Sequence, residues 1–371
     1  MRTRILHCIP TMGSGGAERQ LAYLCAELPA LGWDVHVALV AGGPNLARLR
    51  ESGATVHTLR ARSNYDPALA WRLWRLVRRV RPVLVQAWLP QMELLAGLAA
   101  RASRIPWILS ERSSAPAYAA SAKSLARPIL ARRAGAVVAN SAGGAAYWAG
   151  RLRPSVTLTV IPNALPLAEI DAMEAAGPDR TGLDPAREVV LYVGRFGREK
   201  NLHALIASLP VVLQRPRAVA VLCGEGPMRA AVEAGVAGLG LADRVRLVGF
   251  VPDAWAWMKR ASVLVSPSLF EGHPNVVLEA AACGCPLVVS DIPAHREFLD
   301  GENALLVDTG DPAVLARAIL WVLANPEAAA RRAKNARARV ESWSTAEIAR
   351  RYDRVYRRTL GGAAAGAPAP G

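Results

Sequence analysis

Short apolar runs recur along the whole chain, each followed by a polar or glycine-bearing turn and usually by a stretch of helical periodicity. In the first half the runs cover residues 4–9, 35–40, 55–59, 83–86, 107–109, 136–138 and 158–161. In the second half they cover 189–193, 218–222, 245–248, 263–265, 287–289 and 304–307. They are continuous rather than alternating, which is how strands buried on both faces read. The pattern predicts an α/β fold with parallel sheets, covered by helices and binding ligands at the carboxyl ends of the strands. The loops to watch are therefore 10–16, 87–92, 110–116 and 162–166. Residues 312–360 are almost all helical in pattern, with a break at Ser342-Trp343-Ser344.

At 371 residues the chain has room for two domains. Residues 1–165 and 188–342 carry the two sets of strands. Residues 166–187, polar and bearing Gly and Pro, read as a linker. The tail 361–371 is low in complexity and is predicted to be disordered. Five cysteines without framework spacing read as reduced packing residues of a cytoplasmic protein. The apolar run after Met1 is too short for a signal peptide, and no run approaches the roughly 18–20 residues of a membrane span. The net charge of +15 implies an anionic partner. Aromatic residues make up only 6% and no recognition module is visible, which argues against nucleic acid.

Chemistry concentrates in residues 263–290. A buried strand, Val263–Val265, leads into a loop carrying Glu271, Gly272, His273 and Pro274. A helix over Asn275–Cys283 follows, closed by Gly284. Glu279 lies within the helix, with seven residues between it and Glu271. The amides of Asn275, Val276 and Val277 at the helix start are expected to be anion donors. A ligand with a central diphosphate and hydroxyl-rich ends fits this spacing, each carboxylate accepting from a pair of hydroxyls. That is the outline of a nucleotide sugar.

Two further loops of the second half add to it. After the first strand, Gly194 is followed by Arg195 and Lys200, two cations suited to a diphosphate leaving group without a metal. Gly224 and Gly226 form a glycine loop that lets backbone line a cleft. Phe250 and Val251, after the third strand, could take the face of a base. No Asp-x-Asp or His-rich cluster suggests metal ligands, so neither metal nor cofactor is expected.

In the first half, Gly13, Gly15 and Gly16 form a strand-to-helix turn open to a phosphate or sugar, or else a plain tight turn. Glu18 stands where a dinucleotide fingerprint needs its third glycine. Two helical stretches, Trp71–Arg81 and Ser121–Arg133, are strongly basic. They suggest a surface lying on anionic lipid, although sheet-covering helices with solvated faces give the same pattern.

Five segments occur in order: Gly-Gly-Ala-Glu-Arg at 15–19, Gly-Arg-Phe-Gly-Arg-Glu-Lys-Asn at 194–201, Gly-Glu-Gly-Pro-Met at 224–228, Phe-Glu-Gly-His-Pro-Asn-Val-Val-Leu-Glu-Ala at 270–280 and Gly-Glu-Asn-Ala-Leu-Leu-Val at 301–307. Together they resemble the retaining glycosyltransferases of family 4. The resemblance implies the GT-B fold: two facing Rossmann-like domains, an interdomain cleft, and a final helix over 343–360 returning to the first domain. It implies that the donor nucleotide sugar binds the second domain and the acceptor the first. It assigns Arg195 and Lys200 to the diphosphate, Glu271 to the sugar hydroxyls, Glu279 to the ribose and Gly16 to a loop closing on the donor. Many relatives carry a histidine after the fifth strand. Here the segment 109–114 has none, and Glu111 or Arg112 is the substitute to test. The family's Pro-Asn-Gly is Pro-Asn-Ala at 162–164.

The resulting expectation is a hexosyl- or N-acetylhexosaminyltransferase using a UDP-sugar. Its acceptor is a glycolipid, lipid-linked oligosaccharide or polysaccharide precursor of a bacterial cell envelope, at the inner face of the plasma membrane. Neither paired glutamate is placed to be a covalent nucleophile, so attack is expected on the face the leaving group departs from. A UDP-sugar epimerase of similar fold is the alternative. A phosphorylase finds no support, since nothing marks a pyridoxal lysine.

Overall fold

The computed structural model describes residues 3–61, 66–113 and 122–365. The chain divides into two compact units, one of residues 1–164 with 343–371 and one of residues 165–342.

The first unit holds a seven-stranded sheet, β1 (Thr3–Cys8), β2 (Trp33–Leu39), β3 (Thr55–Thr58), β4 (Leu84–Trp88), β5 (Trp107–Glu111), β6 (Ala136–Ala139) and β7 (Thr157–Val160). The order is β3-β2-β1-β4-β5-β6-β7 and every pairing is parallel. The second unit holds a six-stranded parallel sheet, β8 (Glu188–Val193), β9 (Ala218–Cys223), β10 (Val245–Gly249), β11 (Val263–Ser266), β12 (Leu287–Ser290) and β13 (Leu305–Val307), in the order β10-β9-β8-β11-β12-β13. Each sheet grows outward from its first strand, then restarts on that strand's other side. The restart separates the loops that follow β1 and β4, and β8 and β11, and opens a crevice at their carboxyl ends. The α/β fold with parallel sheets and Rossmann-like order is therefore observed in both units.

All six residues of β9 and all four of β11 are buried, because helices cover both faces. The basic helix of the first unit runs Ala68–Val80 and ends at Arg81, whose φ of 53° lies in the left-handed region. Its Leu69, Leu73, Leu76, Val77 and Val80 enter the core, so the sheet-covering role is real. Trp71 remains on the outer face. The second basic stretch forms a helix at Ala122–Ala131, while Ser121 and residues 114–120 lie outside the described residues.

The last helix, Thr345–Ala365, belongs to the first unit. Ile348, Ala349, Tyr352, Val355 and Tyr356 recur at helical spacing and enter that unit's core. Tyr356 donates to Gln86 of β4, and Trp33 of β2 donates to Asp353 at 2.8 Å. The helix continues to Ala365, beyond the expected stop at Gly361, because the alanines after the glycine pair favour helix. Residues 366–371 of the tail lie outside the described residues.

The segment expected as a linker is fastened to the second unit. Arg337 holds Asp171 at 2.9 Å, and Lys259 donates to the carbonyls of Asp171 and Met173 at 3.0 and 2.6 Å. Among the described residues, no single helix is long and apolar enough to cross a membrane.

Candidate donor-sugar site

The crevice of the second unit brings together two post-strand loops. The loop after β8 starts at Gly194, whose N–H donates to Cys223 O at 3.0 Å. Phe196 is fully buried, and its N–H donates to Glu225 O at 2.8 Å. These bonds press the loop onto the glycine turn after β9. A Cβ at Gly224 would sit 1.8 Å from the Gly194 carbonyl oxygen, and one at Gly226 would sit 2.5 Å from that of Phe196. Both glycines are thus required by loop-on-loop packing, whatever else they face.

The loop carries Arg195 outward, its side chain 63% exposed and paired with Glu199 at 2.6 Å. One turn of 3-10 helix, Arg198–Lys200, then turns Lys200 inward. Its Nζ donates to Glu271 Oε1 at 2.5 Å. Ser268 Oγ donates to the same oxygen at 2.8 Å. The side chains of Lys200 and Glu271 are 22% and 14% exposed. The two residues assigned to the phosphates and the sugar hydroxyls therefore meet as an ion pair at the mouth of the crevice.

Beyond Glu271 the chain turns into the helix Asn275–Ala282. No side chain caps it, and the positive end of its dipole faces the loop. Val277 N–H donates to Pro274 O at 3.0 Å, so the expected donor set of three loses this member. The correction has a local cause, since Pro274 accepts in the tight first turn. His273 is buried and lies against Phe298, with ring centroids 6.2 Å apart. Glu279 is only 4% exposed, and its Oε2 accepts from Trp255 Nε1 at 3.0 Å. Phe250, after β10, presents an exposed ring, 65% open, with half-buried Val251 beside it.

Sequence reasoning missed three groups here. Trp255 holds the second carboxylate. Tyr192 is buried on β8, its hydroxyl donates to Arg195 O at 3.0 Å, and burial and then Glu271 push its pKa up. His295, on the short helix Pro293–Arg296, is wholly buried, and burial pushes its pKa down. The proximity of Glu271 and Lys200 to His295 appears in opposing effects on that ring. Only a contact map could have revealed these three, because none belongs to the motifs.

In the first unit the glycine turn is braced internally. Thr11 Oγ1 donates to Glu18 Oε1 at 3.0 Å, and Asn45 donates to the Gly13 carbonyl. Gly15 lies against Glu18, so Glu18 buttresses the turn that opens the helix Gly16–Glu27.

Glu111 is not placed for catalysis. It is the last residue of β5, wholly buried, with Oε1 accepting from Ser113 N at 2.9 Å and Oε2 from Arg127 and Trp148 at 2.9 and 3.0 Å. Arg127 also donates to buried Glu93 at 2.5 Å. The assignment to the missing histidine's role fails for Glu111 because its side chain is wholly buried and both oxygens are taken, by Ser113 on one and by Arg127 and Trp148 on the other. Arg112 is half-buried. Its guanidinium lies 4.9 Å from the Trp88 ring centroid and donates to Asn163 Oδ1 at 2.7 Å and the Tyr352 hydroxyl at 3.3 Å. It clamps the last helix to the ends of β4 and β7.

Two family models match the chain, Glycosyltransferase Family 4 over residues 14–169 and Glycosyl transferases group 1 over residues 176–339. The chain belongs to the family 4 glycosyltransferases. It is 28% identical to the lipopolysaccharide core biosynthesis glycosyltransferase LpsE of Rhizobium meliloti, over 84% of this chain and 86% of LpsE. It is 32% identical to the lipopolysaccharide core biosynthesis mannosyltransferase LpcC of Rhizobium leguminosarum bv. viciae, over 56% of this chain and 59% of that protein. The crystal structure of HepE from Anabaena in complex with UDP-glucose superposes with a TM-score of 0.83 at 22% identity, covering 95% of this chain and 99% of HepE. At that identity the likeness is one of fold, and the fold of this glycosyltransferase is GT-B.

Proposed function

We propose that this glycosyltransferase moves a sugar from a UDP-sugar onto a lipid-linked or polysaccharide-precursor acceptor, with retention of configuration. The observation that carries the reading is the Lys200–Glu271 pair at the mouth of the second unit's crevice, beside the uncapped helix start. A donor diphosphate exchanges with Glu271 as the partner of Lys200. The exposed Arg195 swings from Glu199 to the same phosphates, and the helix N-terminus adds its dipole. Glu271 then accepts from sugar hydroxyls, and Glu279, steadied by Trp255, accepts from the ribose.

The reaction is a same-face displacement. The bond from the sugar's anomeric carbon to the diphosphate oxygen breaks with both electrons going to the diphosphate. The acceptor oxygen bonds to that carbon, and its proton passes to a donor phosphate oxygen. Lys200 and Arg195 stabilise the charge that develops on the leaving group, the kind of effect worth about 10²–10³ in turnover per donor. HepE, solved with UDP-glucose, supports the uridine carrier, and LpsE and LpcC, named for lipopolysaccharide core biosynthesis, support a glycan acceptor.

Thermal protection by UDP-glucose, UDP-N-acetylglucosamine and GDP-mannose tests the donor. A UDP-sugar at a hundred times its Kd adds about 2.7 kcal/mol of stability. Equal or greater protection by GDP-mannose overturns the uridine assignment. Incubation with donor alone separates transfer from epimerisation, since an epimerase isomerises the sugar with no acceptor present.

We further propose that the first unit rests on the inner leaflet of the plasma membrane. The helices Ala68–Val80, Leu89–Ala102 and Ala122–Ala131 lie side by side, and each shows an exposed hydrophobic, Trp71 at 53%, Leu98 at 54% and Ile129 at 69%. Arg75 stacks on Trp71 at 4.6 Å, leaving its charge beside the ring. Each arginine near an anionic surface is worth about 1 kcal/mol. Reversing Arg75 and Arg79 to Glu therefore lowers binding to phosphatidylglycerol vesicles by roughly 30-fold or more; undiminished binding overturns this placement.

A further inference from the structure

The loop that presents Glu271 is held by a chain of hydrogen bonds whose far end is His295. Ser268 Oγ donates to Glu271 Oε1 at 2.8 Å. The carbonyl of Ser268 accepts from Ser290 Oγ at 2.6 Å. Ser290 ends β12, and its carbonyl lies 2.7 Å from His295 Nδ1. Ser268, Ser290 and His295 are 1%, 2% and 0% exposed, so water does not compete along this path.

The proton positions follow from the partners. A carbonyl oxygen only accepts, so His295 Nδ1 carries hydrogen and donates to Ser290 O. The Ser290 hydroxyl hydrogen is committed to Ser268 O, so at 3.3 Å from Nδ1 its oxygen accepts too. His295 is thus the Nδ1–H tautomer, with a bare lone pair on Nε2. That Nε2 is buried and, among the described residues, has no hydrogen-bond partner. A second proton there would be a buried N–H without an acceptor, and burial itself pushes the imidazole pKa down. The ring is therefore a neutral, one-sided donor.

An unpartnered buried acceptor opposes folding. A leucine of similar size would avoid that cost and pack in the same space. The histidine's contribution must then lie in what its Nδ1–H donates to, the carbonyl and hydroxyl of Ser290. We propose that His295 is a positioning residue for the Glu271 carboxylate, acting through Ser290 and Ser268. It fixes the end of β12, the Ser290 hydroxyl fixes the loop after β11, and Ser268 aims the carboxylate. Without this path Glu271 loses the bond that aims it from the loop, and it is less well oriented when the lysine turns to the diphosphate.

This inference rests on the donor-site reading and adds a selectivity it does not require. Glu271 meets the sugar, whereas the bare diphosphate meets Lys200. Loss of the path weakens the nucleotide sugar and spares the nucleoside diphosphate. The experiment measures Kd for the best-protecting nucleotide sugar of the panel and for its bare diphosphate, UDP or GDP, in the wild type, His295→Leu and His295→Asn. Asn carries an amide N–H at about the reach of Nδ1. In His295→Leu the nucleotide-sugar Kd rises about fivefold or more, the diphosphate Kd stays within about twofold, and the Tm does not fall. In His295→Asn both constants stay within about twofold of wild type. Equal weakening of both ligands, or of neither, overturns the assignment. Should His295→Leu fail to fold, Ser290→Ala breaks the same path one step later and is judged by the same ratio. A wild type that binds no nucleotide sugar sinks the donor-site reading and this inference with it.

Discussion

Two charged clusters, one in each unit, both pair a cation with glutamate and are set to opposite ends. In the second unit Lys200, Glu271 and Ser268 meet at a crevice mouth, with the ion pair 22% and 14% exposed. In the first unit Arg127, Glu93, Glu111 and Trp148 meet in the core, with the charged side chains 1%, 2% and 0% exposed. The first cluster can exchange partners, because water and an incoming phosphate both reach it. The second cannot, because every charge there depends on its neighbours for solvation. A carboxylate at the end of a Rossmann-like strand is therefore a site or a staple according to its access. Glu271 in its loop and Glu111 in its strand are the two outcomes in one chain.

Breaking the staple should show the largest effect. Arg127→Leu leaves two carboxylates in the core with no guanidinium, and losing one partner of a buried ion pair costs about 3–5 kcal/mol. The melting temperature should fall by roughly 10 °C. Affinity of the remaining folded protein for a nucleotide sugar should stay within about twofold. A variant that melts near the wild type would mean the cluster is not what joins these helices to β5.

Opening the exchangeable pair should do the reverse. Lys200→Gln removes a leaving-group donor while keeping a hydrogen-bonding group near Glu271. Turnover should fall about 10²–10³-fold. The Tm should move by no more than about 2 °C, since a partly exposed pair contributes about 1 kcal/mol or less. Retained turnover would separate Lys200 from the leaving group and end the contrast drawn here.

The two clusters also differ in how far the sequence discloses them. Continuous apolar runs such as Val263–Val265 and Ala218–Leu222 mark strands buried on both faces, and each appears at its expected place. The Glu271–Glu279 spacing is legible because both carboxylates and the helix start lie within one short segment. Glu111 is not legible in that way. Its partners Glu93 and Arg127 lie on separate helices, one on either side of it in sequence, and nothing in the pattern says which will turn toward β5. Arg112 misleads for a similar reason, since its contacts, Asn163 and Tyr352, stand 51 and 240 positions away. His295 is invisible because a four-residue helix has no periodicity to read. What the chain writes locally could be read, and what tertiary packing assembles from distant residues could not.

The smallest effect expected is a pH slope set by the buried cluster. One guanidinium balances one carboxylate, and two face Arg127. Burial pushes the Glu93 carboxyl up to about 8, against the pull of Arg127 and with the help of Glu111. The folded chain then holds a proton that the unfolded chain has already lost, throughout the window between the ordinary carboxyl value near 4.5 and about 8. The raised value fixes the sign: the stabilisation is complete below that window, is lost as pH rises through it, and stays lost above it. One proton sets an upper limit of about 1.4 kcal/mol per pH unit. Glu93→Gln cannot ionise and keeps an acceptor for Arg127, so its Tm should change less than that of the wild type between pH 5 and 8. Parallel Tm curves for wild type and Glu93→Gln would mean that the core accommodates both carboxylates ionised, and that the staple owes its strength to hydrogen bonds rather than to a held proton.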